Sequence, residues 1–453
     1  MPKLFGTSGI RGDLDLVSPE LAVNLGLAVA TSLNSHGDVA VAYDARTSSP
    51  YLRYATSSGL MAGGCKAIQF GMIPTPVLGF GTRENKLNAG IMITGSHNPP
   101  TDNGLKCYNS EGREYTGEEE ENLEEIIFNN SYRPVAWNKV GSSIPRQEVL
   151  DDYVRAVLFD IKPVAKSLHV VVDCGNGVGS NVTPRLLSRL GCRVTAINAN
   201  IDGAFPSRPP EPTPETLSDT SRLVSEMGAD LGIAHDSDAD RLSVLDEEGR
   251  YVTNDRLLAL FAKILLKQHG PGRIVTSVDT SPRIDEVAER YGGRVERTKL
   301  GKTHEALTTS REKPILCCEP WKIIDVHWGY WGDAVYAACK LVAQLSDSEQ
   351  SLSKLLEDIP DYPQSRLAFP CPRQVKDKAM HTIKAKLAAE KDAMDVWTYD
   401  GIRVNYEDGS YALLRPSGTE PKIRVYCEAK SEKELKKLVQ KCTALVQIAV
   451  RTE

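Results

Sequence analysis

The sequence predicts an α/β protein of four domains, and three observations carry that prediction. Short apolar runs typical of strands alternate with helical periodicity along most of the chain, a pattern that indicates α/β units with mainly parallel sheets. The length of 453 residues suffices for two to four domains of roughly 100–200 residues each. Three polar or proline-rich junctions, at 140–152, 247–255 and 357–373, favour four.

These junctions divide the chain into predicted domains at 1–150, 151–252, 253–364 and 365–453. Within the first three, strands are predicted at 38–43, 90–94, 168–173, 193–198, 230–234 and 273–278, and helices at 19–33, 183–190 and 256–269. The last domain begins helically, has strands near 401–406, 411–415 and 423–430, and ends in a helix. Ser431 and Glu434 have the capping-box spacing that predicts the start of that helix.

Composition narrows the class of protein. With 41% apolar and 25% charged residues, the chain has the make-up of an ordinary globular protein. Its longest nearly apolar stretch, 257–266, is too short to cross a bilayer, and the N-terminus lacks the apolar region of a signal peptide. We therefore expect a cytoplasmic protein without a membrane partner. A net charge of −6 argues against nucleic acid as the partner but allows a small anionic ligand.

Three further features are predicted to be structural. The ten cysteines contain no Cys-x-x-Cys pair, so we expect reduced, mostly buried thiols and no zinc site. Residues 205–216 carry five prolines, which predicts a stiff surface loop. The acidic run 117–125 is predicted to be a solvated helix face.

The segment Thr94-Gly-Ser-His-Asn-Pro-Pro100 is the strongest functional signal. It follows an apolar strand directly, and ligands of open α/β sheets bind at the carboxyl ends of strands. The loop would present the Ser96 hydroxyl beside the His97 imidazole. A turn in which Ser96 caps the local backbone is the alternative.

A second segment, Asp236-Ser-Asp-Ala-Asp-Arg241, places three carboxylates at alternate positions. On a loop they can converge on a hard cation, and oxygen ligands of high charge suit Mg²⁺. The run also begins like a calcium-binding EF-hand loop, with Glu247 at position twelve. That loop requires glycine where this chain has Arg241. A solvated turn is the remaining alternative.

Two glycine-containing segments complete the candidate site. Arg415-Pro-Ser-Gly-Thr-Glu-Pro421 combines a guanidinium, two hydroxyls and backbone N–H groups, a set suited to a phosphate dianion; an ordinary turn is the alternative. Gly6-Thr-Ser-Gly-Ile-Arg-Gly12 cannot form a stable helix or central strand, which predicts a loop carrying Arg11.

In combination these four segments resemble the motifs of the α-D-phosphohexomutase superfamily, especially its archaeal-type branch. That group includes phosphoglucosamine mutases, phosphomannomutases and phosphoglucomutases. The similarity extends over essentially the whole chain. It implies four domains around a central cleft, three with a related α/β core and mixed sheets and a smaller C-terminal α+β domain.

The resemblance also implies roles for individual residues. Ser96 would be the phosphorylated serine and, with Asp236, Asp238 and Asp240, would complete the Mg²⁺ shell. His97 would support the serine loop, and Arg11 and Arg241 would neutralise charge around the transferred group. Lys106 would be the general acid and base, with a pKa that we expect neighbouring cations to lower. The phosphate that does not react would be bound by Arg415, Ser417, Gly418, Thr419 and Arg424.

The sugar loop departs from the family pattern. The family usually has two glycines before its glutamate and small residues after it, whereas this chain reads Cys317-Cys-Glu-Pro-Trp-Lys322. Glu319 would accept hydrogen bonds from sugar hydroxyls. Trp321 would stack on the ring or pack against Trp328 or Trp331. Lys302 lies where the family often has a substrate loop, with an ordinary surface lysine as the alternative.

The implied activity is reversible phosphoryl transfer between the 1- and 6-positions of a hexose phosphate, through a phosphoserine and a hexose 1,6-bisphosphate that also serves as activator. A phosphoglucosamine mutase, phosphomannomutase or phosphoglucomutase would fit. The alternatives are a Mg²⁺-dependent sugar phosphatase and a non-catalytic sugar-phosphate-binding homologue. The expected partner is a small sugar phosphate, and both a monomer and a homo-oligomer remain open.

Overall fold

A computed structural model describes residues 3–309, 312–388, 390, 392–417 and 421–451 of the chain. Four sheets follow one another along the sequence, and helices flank each of them. The first three sheets mix parallel and antiparallel pairs, and the fourth is antiparallel throughout. The predicted fold class is therefore confirmed, whereas the four domain ranges stay a prediction.

The first sheet has six strands in the order β1-β5-β4-β2-β3-β6. Its strands are β1 Ile10–Gly12, β2 Asp38–Tyr43, β3 Lys66–Met72, β4 Ala89–Ile93, β5 Asn103–Asn109 and β6 Ser143–Pro145. Its helices are α1 Pro19–Ser32, α2 Ser49–Ala62, α3 Thr75–Glu84 and α4 Gly117–Phe128. The hydroxyl of Ser18 accepts from Leu21 N and starts α1 one residue before its proline.

Glycine contacts bring α1 and α2 unusually close together. A Cβ on Gly26 of α1 would lie 2.3 Å from Thr56 O, and one on Gly59 of α2 would lie 2.1 Å from Val23 O. Since real Cβ atoms do not approach carbonyl oxygens this closely, only glycine fits at either position. The two helices form one layer against the sheet that carries the serine loop.

The second and third sheets have parallel pairs on one side and antiparallel pairs on the other, in the orders β11-β10-β9-β7-β8 and β13-β12-β14-β15. The second region contains α5 Val149–Asp160, β7 His169–Asp173, α6 Thr183–Arg189, β8 Arg193–Ile197, α7 Ser218–Glu226, β9 Leu231–His235, β10 Leu242–Leu245 and β11 Tyr251–Val252. The third contains α8 Asn254–His269, β12 Arg273–Ser277, α9 Arg283–Arg290, β13 Arg294–Thr298, α10 Ala306–Thr309, β14 Leu316–Glu319, β15 Lys322–Asp325, α11 Ala334–Ser348 and α12 Leu352–Leu355.

The fourth sheet runs in the order β16-β20-β19-β18-β17 and is covered by two helices. Its elements are β16 Gln364–Pro370, α13 Arg373–Ala388, β17 Ala393–Trp397, β18 Ile402–Tyr406, β19 Tyr411–Pro416, β20 Lys422–Glu428 and α14 Glu432–Arg451. The Ser431 hydroxyl accepts from Glu434 N at 3.3 Å, so α14 begins where the capping spacing predicted it.

The apolar core is continuous through the first three regions but separate in the fourth. One cluster of buried side chains includes Met92, Val172 and Leu260 from three different sheets or their helices. A second lies between α1, α2 and the first sheet, and a third lies beneath α13 and α14. All ten cysteines are buried and unpaired. In the described part of the chain, no helix combines the length and the apolarity needed to span a membrane.

Asp333 ties the first three regions together at one buried point. It is 2% exposed and accepts four hydrogen bonds of 2.8–3.1 Å, from Tyr153 Oη, Trp328 Nε1, Trp331 Nε1 and Tyr336 N. The aromatic rings of this cluster pack against Phe80 of α3. Removal of the carboxylate would leave several buried donors without an acceptor.

We expect Asp333→Ala to lower the free energy of unfolding by about 3 kcal/mol, because each unpaired buried donor costs about 1–3 kcal/mol. Urea unfolding followed by tryptophan fluorescence measures the change. Asp347→Ala, at an exposed position on α11, the helix that Asp333 caps, is the matched control and should stay within about 0.5 kcal/mol of the unsubstituted protein. Equal losses in both variants would contradict this role.

Candidate active site

The serine loop connects β4 to β5 and is closed by local hydrogen bonds. Ser96 adopts a left-handed conformation, with φ of 50°, and its backbone N donates to Thr94 Oγ1 at 2.8 Å. A Cβ on Gly95 would lie 2.7 Å from the Arg46 guanidinium carbon, so the loop follows this path only with glycine there. Ser96 is 1% exposed, so its side chain is almost completely covered in this conformation.

Arg46 organises this loop and was not predicted from the sequence. Its guanidinium is fully buried and donates to four loop carbonyls at 2.5–2.9 Å, those of Ser96, Asn98, Pro99 and Asp102. Asp44 accepts its Nε at 3.1 Å. The only signal in the sequence is an Asp-x-Arg triplet directly after β2. Nothing in that triplet indicates which carbonyls it serves.

We expect Arg46→Lys to lower turnover by about 10²-fold, because an ammonium cannot reproduce the planar, multidentate set of donors. The serine would lose its fixed position, and small misplacements at a reacting centre are costly. Steady-state kinetics measures the effect. Arg53→Lys, on the neighbouring α2 and stacked on Tyr54, is the control. Full activity in Arg46→Lys would show that the loop holds its shape without this side chain.

Three aspartates of the β9–β10 turn meet the serine loop across the boundary between the first two sheets. Ser96 Oγ donates to Asp236 Oδ2 at 2.8 Å. Carboxylate oxygens of Asp236, Asp238 and Asp240 lie within 4.8 Å of one another, and Asp238 Oδ1 is buried without a hydrogen-bond partner. An oxygen-only set with an unused buried acceptor fits a hard divalent cation such as Mg²⁺.

The charges of this cluster strongly affect one another. Burial and the repulsion of its two neighbours raise the pKa of Asp236 well above its ordinary value. Asp238 is also buried, but the ammonium of Lys106 and its hydrogen bonds hold the pKa of that carboxyl well below its usual range. Like charges this close cannot all ionise at their ordinary values. The cluster is therefore an attractive site for positive charge.

Lys106 lies on β5, and its surroundings correct one prediction. Its Nζ contacts Asp238 Oδ2 and Asp240 Oδ2, each at 2.8 Å, and the side chain is fully buried. Burial lowers the pKa of Lys106, but the two carboxylates outweigh burial and the pKa is raised. The expected lowering by neighbouring cations is wrong for this arrangement, because the nearest charges are negative.

Two hydroxyls hold the aspartate turn in place and were not predicted. Thr75, the first residue of α3, donates from Oγ1 to Asp238 Oδ2 at 2.5 Å, and its N donates to Asp238 O at 2.9 Å. Ser237 donates to Ser96 O at 2.8 Å. These contacts join segments more than 100 residues apart, so no local pattern could reveal them.

Arg11, His97 and Arg241 surround the serine. Arg11 Nη1 lies 3.4 Å from His97 Nδ1, which lies 3.5 Å from Ser96 Oγ. Because arginine only donates, Nδ1 is the acceptor. Burial and the nearby cations lower the pKa of His97 well below its ordinary value. Arg11 belongs to β1, an edge strand paired with β5, so the prediction of a loop there was wrong; edge pairing tolerates the flanking glycines.

The proline-rich segment 205–216 is irregular as predicted, but it is not simply a surface loop. Arg208 is 6% exposed, and its Nε donates to Asp173 at 2.9 Å while its Nη2 donates to His235 O at 2.7 Å. Glu211 pairs with Arg241 at 2.8 Å. The segment folds inward because the buried charge of Arg208 and the charge of Glu211 need partners. Through His235 and Arg241, these two residues hold both ends of the aspartate turn.

The sugar loop lies at the third sheet. Glu319 is 7% exposed and accepts from Gly301 N and from the hydroxyl and N of Thr303; burial raises its pKa. Trp321 lies under the Arg241 guanidinium, 5.6 Å from ring centre to carbon, while Trp328 and Trp331 pack around Asp333 instead. Among the described residues, no ring contact joins Trp321 to Trp328 or Trp331, whereas its stacking on the sugar ring stays a prediction.

Lys322 and Lys302 each close a contact between the first and third regions. Lys322 Nζ lies 2.6 Å from Glu114 Oε2, and this pairing holds the pKa of Glu114 far below its usual range. Lys302 pairs with Glu120 at 3.1 Å and with Glu305 at 3.2 Å. A substrate role for Lys302 would require breaking both pairs.

The acidic run 117–125 is therefore not a purely solvated face. Glu120 is 3% exposed, and burial raises its pKa to about 7 despite the Lys302 ammonium. Glu124 accepts from Leu4 N and Phe5 N at 2.7 and 2.8 Å. The prediction failed because the run supplies ion-pair partners to segments distant in sequence.

The candidate phosphate loop follows β19. Arg415 of β19 and Arg424 of β20 are directly opposite in the antiparallel register, so both side chains point to one face. Ser417 is 5% exposed, its N donates to Lys422 O, and its carbonyl accepts from Lys376 Nζ at 2.8 Å. The predictions for Gly418 and Thr419 fall outside the described residues.

A second group of metal-ligating residue types, His269, Asp325 and His327, lies away from this site. The two imidazoles are stacked 3.6 Å apart with an angle of 3° between their planes. Lone pairs of parallel rings do not converge on one ion, and Lys340 Nζ is bonded to Asp325. The arrangement is an aromatic stack beside a buried ion pair.

Comparisons with known proteins identify the family of the chain. The sequence matches four phosphoglucomutase/phosphomannomutase profiles: alpha/beta/alpha domain I at 2–134, domain II at 151–249, domain III at 253–362 and the C-terminal domain at 370–445. Together they cover most of the chain.

Individual relatives are also named as mutases. The chain is 43% identical to a phosphopentomutase of Thermococcus kodakarensis over 99% of both proteins. It is 42% identical to a protein of Methanothermobacter thermautotrophicus named "Probable phosphoglucosamine mutase", over 96% of this chain and 95% of that one.

A solved phosphoglucomutase/phosphomannomutase family protein of Burkholderia thailandensis superposes with a TM-score of 0.88 at 28% identity, covering 98% of this chain and 97% of the other. The open form of a Paramecium phosphoglucomutase shares the fold, with a TM-score of 0.81 at 19% identity and coverage of 99% and 95%. Four matched domains, whole-length relatives and a common architecture all indicate the same family. The chain is therefore an enzyme of the phosphoglucomutase/phosphomannomutase family, which belongs to the phosphohexomutase superfamily of isomerases.

Proposed function

We propose that the protein moves a phosphoryl group between two positions of one sugar phosphate through a phosphoserine at Ser96. The contact of Ser96 Oγ with Asp236 at 2.8 Å, inside a buried cluster of three carboxylates, carries this proposal. A hydroxyl placed against a cation site is the arrangement that phosphoryl transfer requires, since that reaction depends on positioning and charge neutralisation.

In the proposed first half-reaction, phosphoserine 96 gives its phosphoryl group to a free hydroxyl of the sugar phosphate. The sugar hydroxyl loses its proton to Lys106, and its oxygen forms the new bond to phosphorus. The bond from phosphorus to Ser96 Oγ breaks, Ser96 Oγ takes up a proton, and a sugar bisphosphate results. The bisphosphate then turns over in the cleft and returns its other phosphoryl group to Ser96. A hexose 1,6-bisphosphate would thereby also act as activator, because it restores phosphoserine.

The chain's own residues supply binding, orientation and proton transfer. Arg46 holds Ser96 in place, and Arg11 and Arg241 face the charge of the transferred group. Lys106 would accept the proton of the sugar hydroxyl as a neutral amine. This role requires its raised pKa to fall once a divalent cation shares the carboxylates of Asp238 and Asp240. Asp236, Asp238 and Asp240 would hold Mg²⁺, which supplies Lewis-acid charge neutralisation when bound.

The other end of the substrate would meet the third and fourth regions. Glu319 would accept hydrogen bonds from sugar hydroxyls, beside Trp321. Arg415, Ser417, Gly418, Thr419 and Arg424 would bind the phosphate that does not react. Two arginines directly opposite each other on neighbouring strands support this assignment, because their guanidinium groups lie on one face of the sheet and could bind one phosphate dianion together.

The substrate is proposed as a hexose phosphate, that of glucosamine, mannose or glucose. A specific observation keeps a pentose phosphate as a second candidate. Lys322 pairs with Glu114 at 2.6 Å, and the charges of Glu114, Asp240 and Glu319 outweigh burial and raise its pKa. It stands in a sugar loop where the family usually has small residues. A bulky cation there leaves less space for the sugar, and a relative of the same length is a phosphopentomutase.

³¹P NMR tests the function directly. Purified protein, Mg²⁺ and a trace of glucose 1,6-bisphosphate are mixed separately with the 6-phosphates of glucosamine, mannose and glucose and with ribose 5-phosphate. Growth of a 1-phosphate resonance to equilibrium is the expected result, and the fastest conversion identifies the sugar. Release of inorganic phosphate alone would favour a phosphatase, and no change with any sugar would favour a binding protein.

A further inference from the structure

The loop 299–303, which follows β13, contacts three regions of the protein. Gly301 N donates to Glu319 Oε2 at 2.9 Å within its own region. A Cβ on Gly301 would lie 2.2 Å from Thr7 Cγ2 and 2.6 Å from Thr7 O in the first region, so the loop packs directly against the backbone of Thr7. Leu300 N donates to Asp400 Oδ2 at 3.0 Å in the fourth region. Movement of any one partner therefore affects the others.

Asp400 uses its second oxygen for the candidate phosphate site. Arg415 Nε donates to Asp400 Oδ1 at 2.8 Å, and the two side chains are 13% and 14% exposed. The turn that carries Asp400 presses on the strand of Arg415, because a Cβ on Gly401 would lie 2.5 Å from Leu414 O and 2.9 Å from Arg415 Cα. With φ of 82°, Gly401 also favours glycine conformationally. Asp400 is therefore held firmly between Arg415 and Leu300.

The contact between Asp400 and Arg415 also has an electrostatic effect. Arg415 faces Arg424 across the β19–β20 pair, and a carboxylate beside Arg415 offsets their repulsion. A guanidinium is planar, so a partner on Nε fixes the direction in which its remaining N–H groups point. Asp400 thus determines both the charge balance and the orientation of the arginine.

We propose that Asp400 is a positioning residue that orients Arg415 toward the non-reacting phosphate and connects it, through the 299–303 loop, to Glu319 of the sugar loop. This inference rests on the proposed function. We expect the contact of Arg415 with the phosphate that does not react to be about equally strong in the ground state and the transition state, so that its loss raises KM and spares kcat.

The test uses the sugar phosphate that the full-length protein converts fastest. Asp400→Ala should raise KM about tenfold or more while kcat changes less than about threefold, because a charge-assisted contact is lost. Asp400→Asn should have a KM between those of the unsubstituted protein and Asp400→Ala, since its amide oxygen still accepts one hydrogen bond. Asp408→Ala is the matched control: Asp408 accepts from Ser410 in another turn of the same sheet and should leave both constants unchanged.

Two further measurements separate positioning from general damage. Asp400→Ala in an Arg415→Ala background should raise KM no further than Arg415→Ala alone, because the two side chains act as a unit. Hydrogen exchange of peptides spanning 299–305 should accelerate in Asp400→Ala and not in Asp408→Ala.

Unchanged KM, additive effects, or a fall in kcat alone would overturn the inference. So would unaltered exchange at 299–305. If the unsubstituted protein converts no sugar phosphate, the proposed function fails instead, and the exchange experiment still decides whether Asp400 holds the loop.

Discussion

Ser96→Ala is expected to reduce turnover by at least about 10⁴-fold, because it removes the atom that accepts the phosphoryl group. The same change should eliminate the mass of one phosphoryl group that we expect on the protein after incubation with glucose 1,6-bisphosphate. Ser96 is deeply buried, and its hydroxyl contacts Asp236. Alanine lacks only this hydroxyl, so it fits the same space without steric conflict. Intact-mass spectrometry and ³¹P NMR measure the two effects independently.

Ser237→Ala is the matched control, because its hydroxyl is buried in the same pocket and bonds to Ser96 O. We expect it to retain the phosphoryl gain, with lower activity from a less well held loop. A phosphoryl gain that persists in Ser96→Ala and disappears in Ser237→Ala would assign the acceptor role to Ser237. Persistence in both would place the phosphoryl group elsewhere and reject the proposed mechanism.

Lys106→Met is expected to reduce turnover by about 10²–10⁴-fold, the usual contribution of a positioned general acid or base. It should also destabilise the cation-free protein by about 3–5 kcal/mol, because two buried carboxylates lose their ammonium partner. For the same reason, the variant should bind Mg²⁺ more tightly than the unsubstituted protein. Kinetics, urea unfolding without divalent cations, and calorimetric titration with Mg²⁺ measure the three quantities.

Lys340→Met provides the comparison, because Lys340 is also a buried lysine paired with an aspartate, Asp325, but lies outside the site. We expect it to lower stability while leaving turnover and Mg²⁺ affinity unchanged. Normal turnover in Lys106→Met would remove Lys106 from the chemistry. Weaker Mg²⁺ binding in that variant would show that the ammonium supports the cation site instead of competing with it.

The sequence by itself determined the fold class and the chemistry of the site's loops. The predicted strands at 38–43, 193–198 and 273–278 match β2, β8 and β12 to within one residue at each end. A short apolar run marks a buried strand through residues that are close together in the sequence, so it can be recognised locally. The serine loop and the aspartate run were also visible, since glycine, proline and spaced carboxylates restrict the chain locally. Their likeness to known motifs identified the family.

Only the tertiary structure decided which side chains that are distant in the sequence form hydrogen bonds and ion pairs with one another. Thr75 bonds to Asp238, which is 163 positions away, and Arg46 serves carbonyls more than 50 positions downstream. The pKa of Lys106 was predicted in the wrong direction, because the sequence gives no distance between β5 and the aspartate turn. Glu120 was assigned to solvent and is buried against Lys302.

These failures share one physical reason. A local pattern reports how a segment curls and which of its faces is apolar, because both depend on neighbours within a few residues. Ionisation, hydrogen-bond satisfaction and the exact position of a charge depend on whatever the fold brings within about 4 Å. For this protein, the loops and their residue types follow from the sequence, whereas the charges that surround Ser96 and the connection from Arg415 to Glu319 exist only in the folded chain.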